Sequence, residues 1–496
     1  MIEILPSNHN QPKGVQEDER SLLIDYYVQK VSARLRELRS PSDSDKKRWI
    51  WELLQNAKDC ISNSFERTSV DIEVIVEDNY IIFKHNGEPF SPKALNSLIW
   101  QKSGEKRGNS ESTGRFGTGF LTTHTLSQNV FLESVLKDTD GSMWGVNVNL
   151  CREGERDEEL KEGIEKTLIS KDNGFFRNPT SDWTSFKYEL KTQTNRESAA
   201  AGVSCLKSNI FFTLAFADKI NSIKLVTKDK TLLVTKSEET NLQHFKIVRF
   251  SVSENDVVSS VSVIIASSAE YCEDLSKKYK QERQLRYSVA IQVSESTKEV
   301  LPILADTPHL YCVFPLVGTE DFHFPVVVNS PDFEPVTERD RLLLAGNEFD
   351  EKKEITNEGI NKLILSNALT LYSEILSYLS DNGWKNIHLL AKGAKKLPSQ
   401  DRNFDKDWYK DKIQAELKRF VLNTAMVETT NGLQKLNDIY FPKGDKKEQH
   451  KKIWEFTNDI SPEKLPKLEL FFFLSFWKIN VIEFLKSVCC FNHCGI

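Results

Sequence analysis

Trp51-Glu52-Leu53-Leu54-Gln55-Asn56-Ala57-Lys58-Asp59 is the stretch on which the architecture of this chain turns. Trp49, Leu53, Leu54, Ala57 and Ile61 recur at helical spacing, predicting a helix from about Asp45 to Asn63 with one buried stripe. Glu52, Asn56 and Asp59 stand at i, i+4 and i+7 and share another face. A carboxylate there can act as general base toward water, and a carboxamide oxygen one turn away suits Mg²⁺ bridging phosphates. Alone, such a row is the ordinary solvated side of a helix.

The flanking segments give the row its meaning. Upstream, Leu22, Leu23, Tyr26, Tyr27, Val31, Leu35 and Leu38 predict an amphipathic helix over Glu17 to Arg39, broken by Ser40-Pro41-Ser42-Asp43-Ser44-Asp45. Downstream, Val70 to Val76 and Tyr80 to Phe83 flank the turn Glu77-Asp78-Asn79 and predict a β-hairpin. It leads into His85-Asn86-Gly87-Glu88-Pro89-Phe90, and Gly114-Arg115-Phe116-Gly117-Thr118-Gly119-Phe120 then opens an apolar run. Three glycines so spaced let backbone amides approach phosphate oxygens, with a helix start expected to lend its positive end. The run lacks the Gly-Lys-Ser/Thr of a P-loop and the longer last interval of a Rossmann fingerprint. Between the two, Gln101 to Thr113 has the polarity of a mobile cover, in which Lys102, Lys106 and Arg107 read either as phosphate contacts or as charges of a solvated loop.

Together these three segments resemble the N box and the two glycine boxes of GHKL ATPases, the Bergerat-fold family of gyrase B, MutL and the heat-shock chaperone that dimerises through its ATPase domain. The wording of the boxes is most similar to the sacsin-type branch, over roughly residues 20 to 190. The resemblance implies ATP and Mg²⁺ as ligands, Glu52 as the base that polarises the attacking water, and Asn56 as the Mg²⁺ ligand. Asp59 would support the adenine side, Gly114 to Phe120 the phosphates, and Thr184 the closing edge of the pocket. The family places an aspartate where this chain has His85, so either the Asn86 carboxamide or a neutral His85 nitrogen accepts the adenine amino proton beside Gly87. Trp183 replaces the usual glycine before Thr184. Phe322 to Arg341 is similar to the end of a transducer domain, which makes Arg339 and Arg341 the candidates to sense the γ-phosphate.

A chain of 496 residues exceeds one hydrophobic core. The expected class is α/β (α+β), with a Bergerat ATP-binding domain and strap helix over 1–195 and a transducer-like α/β domain over 196–345. A mostly helical module over 346–440 and a tail over 441–496 follow. The tail's Phe471-Phe472-Phe473 and its clustered cysteines suggest either a truncated longer protein or a segment covered by a partner. Cys489, Cys490, His493 and Cys494 lack a CxxC pair and read as tail rather than zinc site. A net charge of −6 gives no sign of a nucleic-acid partner. No signal peptide is evident, so a cytoplasmic protein is expected, without a membrane span.

The expected function is an ATP-hydrolysing conformational switch acting on a protein client, chaperone-like or regulatory, with a microbial defence ATPase included. The resemblance also implies a homodimer through the N-terminal helix. The alternative is a nucleotide-sensing module that does not hydrolyse. A histidine kinase would need its phospho-acceptor helices before the pocket, and a topoisomerase would need cleavage machinery.

Overall fold

In the computed structural model, which describes residues 13–62, 65–101, 119–242, 244–392, 397–398, 403–440 and 447–468, Ser42 starts the decisive helix. Its hydroxyl accepts the Asp45 amide at 3.1 Å while the Asp45 carboxylate accepts the Ser42 amide at 3.2 Å, a reciprocal capping box. The preceding helix α1 (Lys13–Glu37) and this helix α2 (Asp43–Asp59) overlap the two helices that the periodicity predicts, with α2 ending at Asp59 rather than Asn63, where Cys60 caps it. Trp49, Ile50, Leu53, Leu54 and Ala57 are buried along α2.

The chain forms two compact units, the first comprising Met1–Ile210, Ala217–Thr235 and Ser253–Val258. Its elements after α2 are β1 (Val70–Val76), β2 (Tyr80–His85), α3 (Pro92–Ile99), a 3₁₀ helix Gly119–Thr125, β3 (Asn129–Lys137), β4 (Met143–Cys151), α4 (Asp157–Asp172), β5 (Phe175–Arg177) and β6 (Thr184–Glu189). Next come α5 (Gln193–Phe216), β7 (Ile220–Thr227) and the start of β8 (Thr231–Asn241). The strand order is β8-β7-β1-β2-β6-β3-β4-β5. All pairs are antiparallel except β1 with β7.

One face of this sheet is apolar in cross-strand rows: Val74, Phe83, Phe186, Leu132 and Val148 are successive neighbours. Such rows are the unit of sheet stabilisation. The other face carries Glu73, Lys84 and Lys224, with Glu73 paired to Lys224 at 2.9 Å and Lys84 at 3.6 Å. Helices cover the apolar face and water meets the charged one, the usual division for a half-buried mixed sheet. The 3₁₀ helix differs from expectation, because after seven residues the chain turns toward β3 before an α-helix is established.

The second unit comprises Phe211–Phe216, Lys236–Val252 and Ser259–Ile496. It takes the rest of β8, most of β9 (Phe245–Glu254) and β10 (Val257–Tyr271), then α6 (Glu273–Tyr279), β11 (Gln284–Ser294), β12 (Glu299–Val300), β13 (Leu310–Cys312), β14 (Phe314–Pro315) and β15 (Val327–Asn329). Helix α7 (Asn357–Asp381) packs on β11 and buries Ile360, Ile364, Ala368, Leu371 and Ile375 in the core of this unit. The remaining described elements are α8 (Lys406–Trp408), a π-helical turn Tyr409–Gln414, α9 (Ala415–Asn423), the hairpin β16 (Ala425–Thr429) with β17 (Gly432–Lys435), and α10 (Lys447–Ile460). The first unit thus runs past residue 195, taking most of α5 and all of β7.

The class is mixed α/β. Among the described residues one helix, α5, is long and apolar enough to cross a membrane, and 61% of its most apolar stretch is buried within the protein. The aromatic tail and Cys489, Cys490, His493 and Cys494 lie outside the described residues.

Candidate nucleotide site

Glu52 lies on α2 with its side chain only 12% exposed. Gly119, 67 positions later in number, sits directly on it: a Cβ built at Gly119 would fall 2.6 Å from Glu52 Cδ. No real Cβ makes that approach, so only glycine fits while Glu52 holds this position. The other end of α2 meets the turn after β2. A Cβ at Gly87 would come to 3.0 Å from Cys60 Cβ and 3.1 Å from His85 Nδ1. Glu88 fastens that contact by accepting the Ser62 amide at 2.7 Å. The carboxylate row is therefore closed at one end by Gly119 and at the other by His85-Asn86-Gly87.

Asn56 lies between, half-buried, and the Asp59 side chain is 7% exposed with Lys58 Nζ at 3.2 Å. Beneath the Asp59 end, the second row of the sheet turns from apolar to polar: Ile72, His85 and Thr184 are register partners. The Thr184 hydroxyl is 2.6 Å from that of Ser134 on β3. His85 and Thr184 are both buried.

The polar atoms of the first glycine box are engaged internally. His85 Nδ1 accepts the Gly87 amide at 3.2 Å, and burial pushes the imidazole down to about 4, so it is neutral with its proton on Nε2. Asn86 Oδ1 accepts the Asp71 amide at 2.7 Å, and its Nδ2 donates to Asp71 Oδ2 at 3.1 Å. Asp71 also accepts Ser222 Oγ at 2.6 Å and Asn221 Nδ2 at 2.8 Å. Burial raises that carboxyl, but the hydrogen bonds from Ser222, Asn221 and Asn86, with nearby Arg67, outweigh it and hold it below the usual range. Arg67 also donates to Asn86 O at 2.9 Å.

Phe120 is buried against Phe186, ring centroids 5.6 Å apart. Arg152, itself buried, lies 4.6 Å over the Phe120 ring and donates to Thr123 Oγ1 at 3.2 Å and Phe120 O at 3.4 Å. It thereby holds the 3₁₀ helix that begins at Gly119.

Of the sequence-derived candidates, Glu52, Asn56, Asp59, His85, Asn86, Gly87, Gly119, Phe120 and Thr184 all belong to the first unit, along α2 and the sheet row beneath it. Lys102, Lys106, Arg107, Gly114, Arg115, Phe116, Gly117 and Thr118 lie outside the described residues. Arg339 and Arg341 belong to the second unit. There Arg341 makes a two-pronged contact with Asp340, at 2.9 and 3.0 Å, and Arg339 donates to Cys312 O at 3.3 Å.

Sequence reasoning passed over Arg48, Asp71 and Arg152. Arg48 was within reach, because it stands at i−4 from Glu52 on the same row, and its Nη2 is 3.4 Å from Glu52 Oε1. Asp71 and Arg152 have no local signature, since their partners lie far along the chain.

Among the described residues, no group of three or more His, Cys, Asp or Glu converges as a metal site. An Mg²⁺ held mainly by phosphates and water needs only one or two protein oxygens, and the half-buried Asn56 carboxamide, between the carboxylates of Glu52 and Asp59 on the helix, suits that requirement. No protein-family model matches the chain, and no curated protein matches it.

Proposed function

We propose that the first unit binds ATP with Mg²⁺ along α2 and hydrolyses it, using the reaction to switch conformation in chaperone-like or regulatory work on a protein client. The observation that carries this is the contact of Gly119 with Glu52. A glycine at the end of a Gly-x-x-Gly-x-Gly run, seated on a nearly buried carboxylate, brings backbone that can approach phosphate next to a base that can polarise water. Asn56, one turn along, would hold the Mg²⁺ that screens phosphate charge. Buried Thr184 and His85 would line the base end, at the edge where the sheet turns polar.

The second reading is a nucleotide sensor without turnover. It is favoured by the first glycine box, whose His85 Nδ1 and Asn86 Oδ1 are both spent on backbone amides rather than left for a base. One pair of measurements separates the two: phosphate release from Mg-ATP, and ATP binding, by the wild type and by Glu52→Ala. Turnover is expected to fall by about 10²-fold or more in the variant with binding retained. Binding without turnover in the wild type would favour the sensor, and a wild type that binds no nucleotide would sink the pocket.

A further inference from the structure

Arg48 and Glu52 face one another across one turn of α2, their side chains 13% and 12% exposed. The separation of 3.4 Å is long for a charge-assisted hydrogen bond, which closes to about 2.7–2.9 Å when well made. Glu52 is the hydrogen-bond partner of Arg48 among the described residues, so a loosely engaged, partly buried guanidinium stands beside the carboxylate that Gly119 touches from the other side.

An anion arriving at Gly119 meets the negative charge of Glu52. In a site largely withdrawn from water, two like charges a few ångströms apart repel strongly unless a cation lies between or beside them. Arg48 is that cation, and its planar fork of donors can turn from a carboxylate to a phosphate without changing its chemistry. Its place along the helix matters as well: it sits one turn, about 6 Å, beyond Glu52 on the side away from the His85 end, so with the base at that end, as proposed above, the outermost phosphate would come nearest to it.

We propose that Arg48 reads the third phosphate: it pairs with Glu52 while the site lacks a γ-phosphate and swings to that phosphate when ATP is bound, leaving Glu52 to the attacking water. This rests on the nucleotide assignment above and adds a discriminating contact within the first unit. Arg48 thus distinguishes triphosphate from diphosphate and couples the presence of substrate to the freeing of the base.

The experiment is equilibrium binding of Mg-ADP and of a non-hydrolysable Mg-ATP analogue to the wild type, Arg48→Ala, Arg48→Lys, Glu52→Gln and the double variant Arg48→Ala/Glu52→Gln, with folding checked by circular dichroism. Arg48→Ala is expected to weaken the analogue about tenfold or more while ADP changes less than about twofold, with Arg48→Lys intermediate. The same loss is expected in the Glu52→Gln background, because the contact is with phosphate. Equal weakening of both nucleotides, no weakening, or a loss that vanishes in the Glu52→Gln background overturns the assignment, the last by reducing Arg48 to a counter-charge for Glu52. A wild type that binds neither nucleotide fails at the earlier step and removes the nucleotide site with it.

Discussion

Gly119 carries no side chain because the Glu52 carboxylate fills the space one would occupy. Gly119→Ala therefore forces either Glu52 or the start of the 3₁₀ helix to move, and a displacement of an ångström at a reacting group costs up to about 100-fold in rate. The expected result is a drop of tenfold or more in phosphate release from Mg-ATP with the circular dichroism spectrum unchanged. Wild-type turnover in Gly119→Ala would mean that Glu52 is not held where the reaction needs it. That Glu52 and Asn56 share one face of α2 was legible in the sequence, because a helix places i and i+4 together whatever surrounds it. What His85 and Asn86 do was not. Both were open as base-reading groups, and both are turned inward to tie the loop after β2, one to Gly87 and the other to Asp71.

At the scale of elements, α2 is set by a close approach to α5. Trp49 is fully buried and donates to Ser198 O at 2.9 Å, and a Cβ at Gly202 would overlap its indole ring. Gly202→Ala gains about 1 kcal/mol of helix propensity. Against this, a buried indole with its donor already placed has nowhere to go, and overpacking costs about 1–3 kcal/mol. A net loss of stability is expected, read as a lower urea midpoint at constant slope; a midpoint equal to or above the wild type would show that the two helices can separate without penalty. Neither α4 nor α5 was legible as a helix in the sequence, and for opposite reasons. The buried side of α4 includes Gly163 and Thr167, which dilute its apolar stripe. The apolar residues of α5 run nearly continuously, so period gives no signal.

At the scale of the molecule, four histidines among the described residues are held neutral by burial: His85, His309 and His388 down to about 4, and His124 to about 3 with Arg152 and Arg39 adding to the effect. Each folded value lies below the unfolded one of about 6.5, so between pH 6.5 and 4 the unfolded chain takes up protons that the folded one refuses. Stability is complete above pH 6.5 and falls as pH drops toward 4, by about 1.4 kcal/mol per pH unit for each histidine in that window. Both ring nitrogens of His124 lack a hydrogen-bond partner among the described residues, so His124→Leu removes the titration without removing a bond. Urea midpoints measured from pH 7 to 4 should fall less steeply in that variant. An unchanged slope would mean that His124 is protonated in the folded protein.

The sequence by itself determined α1, α2, the β1–β2 hairpin and the polar row on α2, because each depends on periodicity and turn chemistry within a few residues. By sequence the first domain ends near residue 195, after the strand expected over Thr184 to Leu190; β7 pairs in parallel with β1 across about 150 positions, and no local pattern encodes a pairing at that distance. The same holds for the site. Glycines that can approach phosphate and a carboxylate that can act as a base are readable as residue types. That Gly119 touches Glu52, that Arg152 holds the turn behind it, and that Asp71 consumes the Asn86 carboxamide are contacts between distant segments, decided only when the sheet closes and the helices pack upon it.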